Sequence, residues 1–259
     1  MARVSLHMDN HVAHVTLTRG DKMNALDDEM VHAIIAAGQE VADSDARAVV
    51  LSGEGRSFCA GLDLQSFAKL AGQDKAWLME RSHHDANRMQ EVALVWRRIP
   101  VPVIAALHGA VFGGGLQLSL GADIRIAAPD VKMAVMEIKW GLVPDMGGMV
   151  LLPKLMRSDV LRMLTYTAQP IDAEQAERWG LVTQIAQDPL AAAETLARDI
   201  AGKSPSAIRA AKRLIDDAEA ADRTSVLLCE SQAQVGLIGQ PDQMEVVAAQ
   251  MQNRAPVFK

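Results

Sequence analysis

The chain has 259 residues, 49% of them apolar, with 26 Lys and Arg against 32 Asp and Glu for a formal charge of −6. This is the balance of a soluble globular protein long enough to bury a large core. Four Trp, four Phe and one Tyr in a net acidic chain argue against a protein that holds nucleic acid by base stacking or a global positive field, while leaving room for a local cationic site.

The predicted elements begin with two strands, Val4 to His7 and Val12 to Thr18, joined by a hairpin signal at Asp9-Asn10. Leu26, Met30, Ile34, Ala37 and Val41 recur at helical spacing, with Asp27 and Asp28 at the end where negative charge suits the helix dipole. A short buried strand follows at Ala48 to Leu51, then a long, mainly helical stretch from Asp63 to Arg98 closed by Pro100 and Pro102. Val103 to Leu107 is a second buried strand, Gly115 to Leu120 a helix, and Ile124 to Ala127 another strand. Beyond Gly141 the pattern is mostly helical, with one strand-like run at Leu181 to Ile185 and three helical patterns from Ser204 to Gln252. The alternation predicts an α/β core over residues 1–203, and the late block a helical region over 204–259 that covers or bridges subunits.

Cys59 and Cys229 are too few and too distant for a disulfide framework or a cysteine zinc site, so a reducing cytoplasm is expected. The opening segment lacks the apolar core of a signal peptide, and no run of about 18 uncharged apolar residues predicts a membrane span. Several motifs fail. Gly202-Lys203-Ser204 ends like a phosphate loop, but Ala197 stands where its first glycine belongs, and the Gly113-Gly114-Gly115 triplet has Leu118 where a dinucleotide fingerprint needs glycine. His11 and His14 fall on opposite faces of a predicted strand, and His83 and His84 are neighbours on a polar helix. Neither pair has chelating geometry, so no metal is expected. No Gly-x-Ser-x-Gly elbow seeds a hydrolase triad.

Three segments survive, each setting glycine or polar residues against apolar runs: 57–64, 108–117 and 136–148. Glycines ahead of a helix expose backbone N–H groups at its positive end, suited to a developing oxyanion. A second N–H from another strand–loop junction completes a two-donor hole. Glu137, among Met136, Ile138 and Trp140, is a candidate proton-transfer base tuned by apolar surroundings.

In order, Ser57-Phe58-Cys59-Ala60-Gly61-Leu62-Asp63-Leu64, His108-Gly109 through Gly115, Gly121-Ala122-Asp123-Ile124-Arg125 and Gly141-Leu142-Val143-Pro144-Asp145-Met146-Gly147-Gly148 resemble the crotonase, or enoyl-CoA hydratase/isomerase, family. Arg19 through Leu26 and Arg254 through Phe258 match as well, so the resemblance spans nearly the whole chain. It implies a crotonase-type spiral of ββα units, followed by helices that assemble a homotrimer or a dimer of trimers. It also implies an oxyanion hole for a thioester carbonyl made by the backbone N–H groups of Leu62 and Gly114. Family hydratases carry two glutamates, one two residues after the triplet and one twenty residues later; here those positions hold Gln117 and Glu137. Gln117 cannot titrate, so it is left the role of orienting a water. Asp145, eight residues after Glu137, resembles the dienoyl-CoA isomerase branch in its spacing, though that branch has an aspartate where Gln117 stands; Asp145 could equally be a helix N-cap.

The resemblance implies an acyl-CoA thioester as substrate, with coenzyme A as part of it and no tightly bound cofactor. Isomerisation of an enoyl-CoA double bond by the single carboxylate of Glu137 is the leading expectation. Hydration through Gln117, decarboxylation or thioester hydrolysis on the same fold, and a non-catalytic RNA-associated homologue are the alternatives. Arg19, Lys22, Asn24, Ala25, Ala60, Gly61, Asp63 and Leu64 fall in the CoA-proximal segments. Phe258 and Lys259 are expected at a neighbouring subunit's nucleotide end, Lys69 near the loop after Asp63, and Trp77, Leu78 and Arg81 beside the acyl pocket.

Overall fold

The computed structural model describes residues 2–63, 65, 66 and 74–258. Eight strands run in chain order: β1 (Val4–Asp9), β2 (Val12–Leu17), β3 (Ala48–Gly53), β4 (Val103–Leu107), β5 (Ala110–Phe112), β6 (Ile124–Ala127), β7 (Lys132–Ala134) and β8 (Gln184–Ile185). The helices are α1 (Asp28–Ala42), α2 (Arg88–Arg98), α3 (Gly114–Leu120), α4 (Gly148–Leu155), α5 (Ser158–Thr167), α6 (Ala173–Arg178), α7 (Pro189–Ala201), α8 (Pro205–Ala218), α9 (Arg223–Leu237) and α10 (Pro241–Met251).

The Asp9-Asn10 signal makes an antiparallel β1–β2 hairpin, with Asn10 and His11 both at positive φ as a tight two-residue turn needs. His11 therefore lies in the turn rather than in the strand. Asp27 caps α1, accepting the Met30 N–H at 2.8 Å. From β2 onward the larger sheet is parallel, in the order β1-β2-β3-β4-β6-β8. A smaller layer pairs β5 with β7 in parallel and is extended by single bridges between Leu26 and Leu62, Cys59 and Val111, and Met133 and Ile171. Each pass of the chain leaves one segment in the larger sheet and the next in the smaller layer, then a helix. This is the expected crotonase spiral, with the glycine-rich loops gathered where the two layers meet.

Both faces of the parallel strands are covered, which accounts for their continuous apolar runs. Val49, Leu51, Ala105 and Leu107 face the main core with α1 and α2, while Ala48, Val50, Ile104 and Ala106 face α7. Ala193, Ala197 and Ala201 line up at helical spacing on α7, and their small size lets the helix lie directly on the sheet.

Two expectations are corrected. The helical stretch from Asp63 to Arg98 is, among its described residues, helical at Gln65 and Ser66, a short 3-10 turn at Ala76–Leu78, a non-helical segment over 79–87, and then α2, which the Asn87–Gln90 capping box starts. His83 and His84 lie in a tight turn closed by paired backbone bonds between His83 and Ala86, not on a helix. The strands β5 and β7, three residues each, went unread. No helix among the described residues is long and apolar enough to cross a membrane, and none of their His, Cys, Asp and Glu side chains form a group that could hold a metal.

Candidate active site

The loop after β3 and the turn before α3 touch at Gly61. Its φ is +93°, and a Cβ there would lie 2.7 Å from the Phe112 carbonyl oxygen and 3.6 Å from the Gly114 amide nitrogen. Leu26 donates its N–H to Gly61 and accepts that of Asp63, which pins both sides of Leu62 and leaves the Leu62 N–H without an acceptor among the described residues. Gly114 is the first residue of α3, so its N–H has no partner within the helix. Both residues line one cavity of about 690 Å³. Gly115 packs against the loop behind them, where a Cβ would meet the Cys59 carbonyl oxygen at 2.2 Å.

Glu137 and Asp145 line the same cavity, with apolar wall from Phe112, Met136, Trp140 and Met146. Ile138 and Met149 turn to solvent instead. Glu137 opens a 3-10 turn (Glu137–Trp140) that Gly141 ends in the left-handed conformation. Its Oε1 accepts a hydrogen bond from Gln117 at 2.6 Å, while its Oε2 is buried and has no partner. Burial raises the Glu137 pKa above the ordinary range, the negative charge of Asp145 adds to the rise, and the Gln117 bond opposes it. Asp145 also sits above its ordinary range: its outer edge reaches solvent, but crowding by the cavity wall disfavours its charge. It is not an N-cap, since Gly147 holds that position ahead of α4 and no side chain caps the helix.

Gln117 is 2% exposed and does not line the cavity. Its Oε1 accepts the N–H groups of Met146 at 2.8 Å and Gly148 at 3.0 Å, and its Nε2 donates to Glu137. Three of the amide's four hydrogen-bonding positions are thus taken by protein partners, and Gln117 stands behind the cavity wall rather than in it.

The charges around the opening differ from those expected. Arg19 lines the cavity, but its guanidinium lies 2.9 Å from Asp63, 3.3 Å from Asp27 and 2.9 Å from the Ala25 carbonyl. It braces the loop carrying Leu62 rather than standing free for a phosphate. Burial works to raise the Asp63 pKa, but the N–H groups of Ser66 and Gln65 and the Arg19 charge together hold it below its ordinary value. Lys22 is exposed on the cavity edge, and Arg56 and Lys139 join it there. These last two were missed, because a lone surface cation has no periodicity to betray it; adjacency to the 57–64 and 136–148 segments was the available signal.

Ala25, Ala60 and Gly61 line the cavity, whereas Phe258 is held elsewhere: its carbonyl accepts from Arg47 at 3.2 Å, and the Arg47 guanidinium sits 5.8 Å from its ring centre. Trp77, Leu78 and Arg81 are absent from the cavity wall, and Trp77 stacks under Arg88. Leu64, Lys69 and Lys259 lie outside the described residues.

Asn24 is fully buried and unavailable to a ligand. It accepts the Arg19 N–H at 2.9 Å, and its Nδ2 lies 3.0 Å from each of the Glu54, Ser57 and Phe58 carbonyls. It clips the Arg19 turn to the loop that leads into the hole. Asn24→Ala strands these buried groups and is expected to cost about 1–3 kcal/mol of stability, read by urea unfolding.

Against known proteins, the model of the enoyl-CoA hydratase/isomerase family matches residues 7–259. The mouse mitochondrial Delta(3,5)-Delta(2,4)-dienoyl-CoA isomerase is 36% identical over 211 residues, covering 78% of this chain but 64% of the mouse protein. A Bacillus subtilis relative named a probable enoyl-CoA hydratase is 31% identical over 264 residues, covering 100% of this chain and 99% of its own. The crystal structure of an enoyl-CoA hydratase from Bacillus anthracis superposes with a TM-score of 0.89 at 29% identity, covering 99% of both chains. With the spiral, the two-donor corner and the family model in agreement over nearly its full length, the chain belongs to the enoyl-CoA hydratase/isomerase family.

Proposed function

We propose that the protein isomerises the double bond of an unsaturated acyl-CoA, with Glu137 as the proton-transfer base. One observation supports this reading: the Glu137 carboxylate borders a cavity that Leu62 and Gly114 also line, while position 117 beside it holds an amide that cannot titrate. The thioester oxygen sits between the two N–H groups, and Glu137 removes a proton from the carbon between the carbonyl and the double bond. The electron pair spreads onto the thioester oxygen as a dienolate, which the two donors stabilise. Glu137, now protonated, returns the proton to the far carbon. No water is consumed, so one carboxylate suffices.

A second reading is favoured by Asp145, which faces the same cavity, and by the similarity to the dienoyl-CoA isomerase. In it Glu137 removes the proton and Asp145 delivers one to the far end of a longer conjugated system. Incubation with 3-enoyl-, 3,5-dienoyl- and 2-enoyl-CoA separates the readings. Turnover of the first alone supports the single-base reaction, turnover of the second supports the pair, and hydration of the third without isomerisation overturns both.

The base acts only when deprotonated, so a raised pKa moves the loss of activity to higher pH. The acid limb of kcat/KM is expected at higher pH than an ordinary glutamate would give, with a plateau on its alkaline side. Lys22, Arg56 and Lys139 are the cations we assign to the CoA phosphates. Lys22→Ala with Arg56→Ala is expected to raise KM for an acyl-CoA several-fold while leaving that for the pantetheine thioester, which lacks the nucleotide, within twofold. Equal changes for both thioesters would detach these cations from the nucleotide. Assembly belongs in this reading to α9, which buries no residue in its own chain, and α10; Leu228, Val235, Ile238 and Met251 leave apolar surface there for subunit contacts.

A further inference from the structure

We propose that Gln117 is a positioning residue that confines the proton carried by Glu137 to one oxygen atom, Oε2. The inference deepens the reading of Glu137 as the base and rests on it for its place in the reaction.

The argument begins with the orientation of the Gln117 amide. Its Oε1 receives two backbone N–H groups, from Met146 at 2.8 Å and Gly148 at 3.0 Å. A rotated amide would set its NH2 group against those two donors, so this orientation is the only one that satisfies them. The backbone also leaves little room to swing: a Cβ on Gly148 would lie 2.8 Å from Gln117 Oε1 and 2.9 Å from its Cγ. Nε2 must then face Glu137, and it meets Oε1 at 2.6 Å.

An amide nitrogen only donates. Glu137 Oε1 therefore accepts whether the carboxyl is charged or neutral, and the lone pair it uses is closed to a proton. Oε2 has no partner among the described residues and keeps both of its lone pairs open, so the proton goes there in preference to Oε1. Gln117 thus makes the two oxygens unequal, anchoring Oε1 and leaving Oε2 as the one without a hydrogen-bond partner among the described residues. It hydrogen-bonds to both Glu137 and the 146–148 turn, so it also ties the base to the segment that carries Asp145.

Replacing the amide while keeping its length tests this. Gln117→Met removes the donor to Oε1, and the Glu137 carboxyl is expected to titrate about one pH unit higher in carbon-13 NMR, with its signal assigned by loss in Glu137→Gln. The acid limb of kcat/KM should move upward by the same amount, and kcat should fall about tenfold with KM changed less than threefold. Gln117→Glu keeps an acceptor for Met146 and Gly148 but must share one proton with Glu137, so it should raise the titration further. Should Gln117→Met fail to fold, Gln117→Glu decides alone.

A folded variant in which neither the Glu137 titration nor the acid limb moves overturns the proposal and reduces Gln117 to packing for the turn. Loss of kcat without either shift overturns it equally. Wild-type protein that turns over no enoyl-CoA overturns the isomerase reading instead, while the NMR titration still decides what Gln117 does to Glu137.

Discussion

Glu137→Gln is expected to lower kcat by about 10²–10⁴-fold, the usual contribution of a positioned acid–base group, with KM for the acyl-CoA within about threefold of wild type. The substitution is a narrow one. An amide oxygen in place of Oε1 still accepts the Gln117 N–H, and the 3-10 turn that carries residue 137 is closed by backbone bonds the side chain does not make. Thermal unfolding should therefore stay close to wild type, separating lost chemistry from lost structure. The cavity, its cations and the Leu62 and Gly114 donors remain, so the substrate still binds and its carbonyl is still polarised. What disappears is the atom that takes the proton. Steady-state kinetics on an enoyl-CoA, followed through the conjugated thioester absorbance, provides the measurement. A rate within a few-fold of wild type would remove Glu137 from the mechanism and leave Asp145, the other carboxylate on the cavity, as the base to test.

The long periodic elements were legible because each declares its own burial. The stripe from Leu26 to Val41 became α1, and three late helical patterns became α8, α9 and α10. The strands β5 and β7 were not legible: at three residues each they are too short to show a period, and their pairing is visible only when the spiral brings residue 110 beside 132. The site divides in the same way. Glycines at 61 and 113–115 announce a close approach of two loops, and Glu137 stands out among apolar neighbours. The duties of Arg19, Asn24 and Gln117 depend on partners that the fold supplies, namely Asp63, the carbonyls of 54–58, and the N–H groups of 146 and 148. A residue type says what a side chain can bond to and not what stands opposite it, so two expected ligand contacts turned out to be braces. The Gly121–Arg125 motif makes the same point. Arg125 is buried against the Leu181 and Ala122 carbonyls, where burial pushes its pKa down to about 10.

Its companion Asp123 leads to the largest expected effect on stability. Lys212, 8% exposed on α8, places Nζ 2.8 Å from Asp123 Oδ2, 3.0 Å from the Val101 carbonyl and 3.4 Å from that of Trp96. Three donors thus meet three acceptors, on three separate parts of the core. Asp123 Oδ2 also accepts the Val103 N–H at 2.7 Å, so the carboxylate that holds Lys212 simultaneously fixes the start of β4. Arg97 reaches from α2 to Asp216 and Glu219, both at 2.7 Å, on the far side of the same joint. Burial pulls the Lys212 pKa down and the Asp123 charge opposes it, as expected of an ammonium retained in the interior by its partner. Lys212→Met keeps the length and apolar stem but leaves the half-buried Asp123 beside a thioether, with Arg97 at 3.7 Å as its remaining ion-pair partner. The expected loss is about 3–5 kcal/mol, the usual cost of removing one member of a buried pair. Urea unfolding at fixed protomer concentration measures it. Adding Asp123→Asn should restore part of the loss, because the half-buried carboxylate that lost its nearest cation is then neutral, and a double-mutant cycle reads that recovery directly. Since these bonds connect α8 to the spiral, limited proteolysis of Lys212→Met should release the segment after residue 204 before the core is cut. A loss under 1 kcal/mol, or cleavage of the core first, would mean that apolar packing alone holds α8 in place and that the ion pair is incidental to it.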